Sequence, residues 1–158
     1  MADASITPVD QIEVVASMDN WELLIDFVQR QADDALAQGK KSYGLLLASE
    51  ELLSNIIREN EAEAEAAVSG SLPVRVRIAA QRRQSQGEHW FDLVISDNGT
   101  PFDPQLESLE PPAVEVPIQE RSVGGLGLFL VKTSVDQVSY CWEEGRNTYC
   151  LSSRLEAH

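Results

Sequence analysis

The sequence predicts one α/β domain in which helices pack on one face of a mixed, mostly antiparallel sheet. Three observations predict it. The segments run strand, two helices, two strands, a long loop, helix, two strands. The strands of each of the two later pairs are separated by short polar stretches, as antiparallel neighbours are. The 158 residues are 43% hydrophobic, enough for a single core, and contain no internal repeat. The expected organisation is therefore one domain over residues 1–158.

"QIEVVAS" (11–17) alternates as the first strand. "DNWELLIDFVQRQADDALAQG" reads as a helix begun by Asp19 or Asn20 and stopped by Gly39, with Trp21, Leu24, Ile25, Val28 and Ala32 as its buried stripe. From Lys40 a longer helix carries Leu45, Leu46, Leu52, Leu53, Ile56 and Ile57, then passes into "ENEAEAEAA", which has nothing to bury and predicts solvated last turns. After the breaker "SGSLP", the strands "VRVRIAAQ" and "HWFDLVIS" flank the polar hairpin segment "RRQSQGE". "VGGLGLFLVKT" then opens a short helix ending by Val135, followed by the strands "QVSYCWEE" and "NTYCLSSRL".

Between the two halves lies "DNGTPFDPQLESLEPPAVEVPIQERS", which holds five of the seven prolines and little periodicity. A loop that long inside a compact domain predicts a functional lid, placed at about residues 100–124. The formal net charge of -14 gives no basic footprint for nucleic acid or for an anionic membrane. No apolar run approaches the roughly 20 residues of a membrane span, and "MADASITPVD" has no signal-peptide pattern, so a cytoplasmic protein is expected. Cys141 and Cys150 are the two cysteines, too few for a disulfide scaffold, and His89 and His158 offer no zinc spacing. If Gly145-Arg146 forms a two-residue turn, however, Cys141 falls opposite Cys150 as a candidate redox-sensitive pair.

Three patches can carry chemistry. In "SEELLSNIIREN", Glu51 and Asn55 are four residues apart and share one helix face. A carboxylate suits a base, and an amide oxygen suits a hard cation such as Mg²⁺; the same pair also occurs on plain solvated faces. In "LVISDNGTPFDP", Asp97 ends an apolar strand, where its carboxylate can accept from an exocyclic amine, and Gly99 lets backbone approach a ring. The same residues would equally make an ordinary Asn-Gly turn.

The third patch is "VGGLGLFLVKT". A P-loop, G-x-x-x-x-G-K-[ST], fails because Val131 and Leu126 stand where its two glycines belong. A dinucleotide fingerprint fails because Leu130 occupies the third glycine position and a Pro-rich loop, not a strand, precedes it. A glycine-rich helix start survives, with free N–H groups able to receive an anion. That end contributes only about 0.3–1 kcal/mol, so local cations must decide, and Arg121, Lys132 and a Mg²⁺ on Asn55 are the candidates.

E-x-x-x-N on a helix, D-x-G-x-P-F-D at a strand end and G-G-x-G-L before a helix, in this order, resemble the GHKL ATP-binding superfamily, and more narrowly the anti-sigma-factor serine/threonine kinases. "SEELLSNIIR" is similar to the N-box, "DNGTPFDP" to the first glycine box, and "ERSVGGLGLFLVKTSVDQVSY" to the lid end and second glycine box, so the resemblance covers nearly the whole chain. It implies a Bergerat-type two-layer sandwich, ATP and Mg²⁺, and transfer of the γ-phosphate to a partner's serine or threonine. On that resemblance Glu51 is the general base, Asn55 the Mg²⁺ ligand and Asp97 the acceptor of the adenine amine, with Gly99 beside the ring. Gly124, Gly125 and Gly127 lie near the phosphates, Arg121 matches a lid arginine facing the γ-phosphate, and Thr148 matches a strand threonine near the adenine carboxylate. One extra residue separates Arg121 from the glycines, and "RENEAEAEAA" stands where relatives continue with basic or aromatic residues.

The function implied is an anti-sigma factor that binds a sigma factor and phosphorylates an anti-anti-sigma partner of the STAS type, with homodimerisation common among such kinases. The alternative is a non-catalytic module in which ATP orders the lid and gates the binding of a protein partner.

Overall fold

The computed structural model describes residues 5–66, 72–101 and 125–156. Its elements are β1 (Ser5–Val15), α1 (Trp21–Leu36), α2 (Lys40–Ala66), β2 (Arg75–Ser85), β3 (Glu88–Asp97), α3 (Gly125–Ser134), β4 (Gln137–Glu143) and β5 (Arg146–Leu155). The strands form one sheet in the order β1-β2-β3-β5-β4, and all four pairings are antiparallel, the limit of the mostly antiparallel sheet expected. Alternation along the strands assigns the two faces. Val76, Ile78 and Ala80 of β2, Leu93 and Ile95 of β3, and Tyr149 and Leu151 of β5 join one core with Leu24, Phe27 and Val28 of α1 and Leu45, Leu52, Leu53, Ile56 and Ile57 of α2. The helices therefore cover one face of the sheet.

The opposite face is held by charge. Glu13 of β1 meets Arg75 at 3.3 Å and Arg77 at 3.0 Å on β2, and Arg146 of β5 at 3.7 Å. Burial alone would raise the Glu13 carboxyl, but the hydrogen bond from Arg75 and the charges of Arg77 and Arg146 bring it below its ordinary value. Asp92, fully buried on β3, takes Arg83 at 2.8 Å, while the guanidiniums of Arg83 and Arg154 lie over the Trp90 ring at 5.1 and 4.9 Å.

Several boundaries differ from the sequence reading. β1 begins at Ser5, six residues earlier than expected, because a register shift between Pro8 and Asp10 absorbs the proline on an edge strand, where a missing N–H costs no ladder bond. A 3₁₀ turn, Met18–Asn20, precedes α1; the Ser17 hydroxyl accepts from Asp19 N and caps it. α1 stops before Gly39, at Ala37, which takes φ 59° and donates its N–H to Asp33 O. Phe27 and Gln31 join its buried stripe, while Trp21 and Ile25 are only partly buried. At the far end of α2, Glu61 and Ala62 are exposed, in line with the solvated turns expected there. Among the described residues no helix is long and apolar enough to cross a membrane.

Both hairpins turn on two residues of positive φ, Gln86-Gly87 and Glu144-Gly145, as the twist of the flanking strands favours. The second turn therefore lies one residue earlier than the Gly145-Arg146 expected. Cys141 consequently faces Thr148, and Cys150 faces Ser139. The two cysteines are diagonal neighbours, a relation that sets Cα atoms about 7–8 Å apart, beyond the span a disulfide bridges without backbone movement. Burial, then the Asp92 charge, pushes the Cys150 thiol up to about 11, so it carries little thiolate near neutrality.

α3 packs on α2 through a close approach: a Cβ on Gly44 would run into the backbone carbonyl of Ser134. Glycine is required there by contact, not by φ. Two outcomes follow from this packing. Gly44→Ala is expected to lower the free energy of unfolding in urea by a net ~1 kcal/mol or more, since the obstacle is backbone and outweighs the roughly 1 kcal/mol that Ala ordinarily gains in a helix. Mild oxidation of the native chain is expected to leave both thiols titratable, and loss of both within the monomer would contradict the observed register.

Candidate functional site

α2 supplies the first wall. Buried Leu52, Leu53, Ile56 and Ile57 fix the roll of the helix and leave Glu51 and Asn55 together, half-buried, one turn apart. Arg58 Nη2 donates to Asn55 Oδ1 at 3.2 Å. Asn60 continues the buried stripe as a polar residue 9% exposed, and its Nδ2 donates to Ile56 O at 2.8 Å.

The end of β3 supplies the second. Asp97 is 3% exposed and pairs with Val76 on β2 and Asn147 on β5, so its side chain faces the helix layer. Gly99 N donates to its Oδ1 at 2.9 Å, and Asn147 Nδ2 donates to the same oxygen at 3.1 Å. Asn147 Nδ2 also donates to Thr100 O at 2.9 Å, at the start of the expected lid. Tyr140 Oη donates to Asn147 Oδ1 at 2.6 Å and so orients the amide. The Tyr140 and Tyr149 rings pack 5.0 Å apart beneath it. A series of hydrogen bonds thus runs from edge strand β4, through β5, to a buried carboxylate on β3.

Asn147 and Tyr140 were not singled out in the sequence. The signal was parity: Asn147 shares a face with buried Tyr149 and Leu151. Thr148, the residue expected near Asp97, lies on the opposite face of the sheet, paired with Ser96 and Cys141, with its hydroxyl 3.4 Å from Arg146 O. A shift of one residue along a strand exchanges faces, and it is the Asn147 side chain, not that of Thr148, that meets Asp97.

Gly125 and Gly127 occupy the first turn of α3, where backbone N–H groups have no intrahelical partner. Arg121 and Gly124 lie outside the described residues. Lys132 sits in the last turn of α3, away from the glycines, and lines a cleft with Arg83, Ser139, Cys150 and Ser152. It does not serve the glycine end.

α2 and the end of β3 meet directly, because Asn60 Oδ1 lies 2.5 Å, and Asp97 Oδ1 2.9 Å, from where a Cβ on Gly99 would sit. One helix therefore presents a carboxylate and an amide at Glu51 and Asn55, and through Asn60, about one and a half turns beyond Asn55, meets the turn that follows the buried carboxylate. Asp97 suits a hydrogen-bond donor on a flat ring, while the space a Gly99 side chain would fill is taken by the Asn60 and Asp97 oxygens. A metal finds one neutral hard oxygen here, Asn55 Oδ1; among the described residues no group of three or more His, Cys, Asp or Glu side chains could hold an ion alone. That donor set fits Mg²⁺ completed by waters and phosphate oxygens, provided Arg58 swings off Asn55.

Comparison with known proteins agrees with this geometry. The family described as histidine kinase-like ATPase domain matches residues 14–152. A serine-protein kinase RsbW of Listeria monocytogenes serotype 4a (strain HCC23) is 38% identical over 60 residues, which covers 37% of this chain and 38% of that relative. The serine-protein kinase RsbW of Listeria innocua serovar 6a shows the same identity and coverage. That of Halalkalibacterium halodurans is 38% identical over 60 residues, 37% of each chain. The match thus spans well under half the length of these curated relatives.

Removing the amide that meets Asp97 tests the polar cluster. Asn147→Ala withdraws one donor from a buried carboxylate and the acceptor from Tyr140, and is expected to cost about 1–3 kcal/mol in urea unfolding. A loss below roughly 0.5 kcal/mol would mean that water replaces the amide.

Proposed function

The chain belongs to the histidine kinase-like ATPase domain family, and on that premise we propose that it is an ATP-dependent serine/threonine protein kinase that acts as an anti-sigma factor. The observation that carries the reading is the placement of Glu51 and Asn55 on the helix that abuts Asp97 and Gly99. Base end and phosphate end are then served by one rigid element. The serine-protein kinase names of the relatives favour the same chemistry.

In this reading Asp97 accepts from the adenine amine and Gly99 lies beside the ring. The N–H groups of Gly125 and Gly127 face the phosphates, joined by Gly124 and by Arg121 from the lid. Asn55 would hold Mg²⁺, which when bound neutralises phosphate charge. Glu51 takes the proton from the partner's serine or threonine hydroxyl as the new O–P bond forms and the bond between the β- and γ-phosphates breaks, releasing ADP. Binding positions the hydroxyl; the carboxylate supplies a base that a serine lacks by itself. The partners are a sigma factor, which the protein sequesters, and a small anti-anti-sigma protein, which it phosphorylates.

Arg58 bears on a second reading, since its guanidinium occupies the oxygen a metal needs. A chain that kept Arg58 there would bind nucleotide and gate a partner without transfer. One variant separates the two. Glu51→Gln is expected to lower phosphoryl transfer to the partner by about 10²–10⁴-fold, with the Kd for ATP changed little. ATP-dependent partner association with no phosphoserine or phosphothreonine in the wild type would favour the gated module. Loss of ATP binding in Glu51→Gln would reassign Glu51.

A further inference from the structure

We propose that Asn60 is a positioning residue for base recognition: its Oδ1, braced against Gly99, holds the Asp97–Gly99 turn so that the Asp97 carboxylate stays aimed at an amino group. The inference rests on the ATP reading given above. Its starting point is a polar break in an apolar stripe. Leu45, Ala48, Leu52, Leu53, Ile56 and Ile57 are buried at helical spacing, and the next position of that stripe is an asparagine, itself 9% exposed. A buried amide inside a helix offers nothing to packing that Leu or Ala would not supply, and it must satisfy its polar atoms.

Its orientation is set chemically. Nδ2 donates to Ile56 O at 2.8 Å, a back-bond to the preceding turn, and this turns Oδ1 away from the helix toward β3. There the oxygen bears on Gly99, 2.5 Å from the place a Cβ would take. The Asp97 oxygen that receives Gly99 N lies on the same side, 2.9 Å from that place. Gly99 thus faces two oxygens from different elements on its Cβ side, and its lack of a side chain is a requirement of both. The carboxylate is fixed by Gly99 N and Asn147 Nδ2, and the turn carrying the first of these donors is backed by Asn60. Without Asn60 the turn gains room, and the carboxylate loses its fixed direction. Contacts at Asn55 and Glu51, about one and a half and two and a half turns away along the helix, are unaffected.

The test compares ATP with inosine triphosphate, which carries a carbonyl in place of the amine, by calorimetric titration of the full chain. The wild type is expected to prefer ATP, and Asn60→Ala to reduce the ATP-to-ITP affinity ratio by about tenfold, with ITP binding close to wild type. An unchanged ratio in a variant of normal melting temperature overturns the proposal. Wild-type chain that binds neither nucleotide removes the ATP reading and the proposal with it, an outcome distinct from an unchanged ratio. A second arm uses Gly99→Ala, which is expected to weaken ATP binding strongly in the wild type and less in the Asn60→Ala background, because one of the two obstructing oxygens is gone. Purely additive losses would show that Asn60 and Gly99 do not bear on one another.

Discussion

A carboxylate withdrawn from water has to be met by donors or it neutralises, and the arrangement around Asp97 follows from that requirement. Asp97 is 3% exposed at the end of a strand. Gly99 meets it from the turn and Asn147 from the neighbouring strand. Asn147 needs its own amide oriented, which Tyr140 on the edge strand provides at 2.6 Å. Each donor comes from a different segment, so the carboxylate is fixed only when β3, β5 and β4 are in register. Fold and site are coupled at this one group: a slip of β5 by one residue would bring Thr148 to Asp97 and leave Asn147 on the other face.

α2 acts as the ruler of the site. Five residues separate Asn55 from Asn60, about 7.5 Å along the axis, a separation that suits one helix serving different ends of one ligand. The apolar residues between them hold the helix against the sheet, so neither end moves independently. Gly44 adds the third dimension by letting the C-terminal residue of α3 press against the second turn of α2. The helix whose first turn carries Gly125 and Gly127 is thereby anchored at its far end.

Much of this was legible in the sequence because alternation and helical spacing are local. The apolar strands, the stripe of α2 and the pairing of a helix carboxylate with an amide at Glu51 and Asn55 needed no tertiary information. What escaped depended on register or on context. The proline at position 8 reads as a strand breaker, yet an edge strand with a bulge accommodates it. Glu144-Gly145 and Gly145-Arg146 are equally good turns on paper, and choosing between them moves every partner in the hairpin by one step, which separated the cysteines. Resemblance favours Thr148, whereas parity with Tyr149 and Leu151 puts Asn147 on the face of Asp97. Asn60 was invisible because an asparagine at the edge of an acidic helical run looks solvated until the loop after β3 is laid over it.

Charge sets the remaining condition on a nucleotide site in a chain of net charge -14. Many of its cations are committed away from the helix layer: Arg75, Arg77 and Arg146 to Glu13, Arg83 to Asp92, and Arg154 to Glu88. These pairs stitch the open face of the sheet, where three guanidiniums share the single carboxylate of Glu13. The acidic surplus at distances beyond about 8 Å is screened at physiological salt, so it does not by itself repel a triphosphate. What matters is the first few ångströms around Asn55 and the start of α3. Arg58 is the described cation already there, held on the same oxygen that a metal would take. In the proposed reading a metal that took this oxygen would release the guanidinium beside the phosphates it brings, so the local positive charge would rise as the ligand completes.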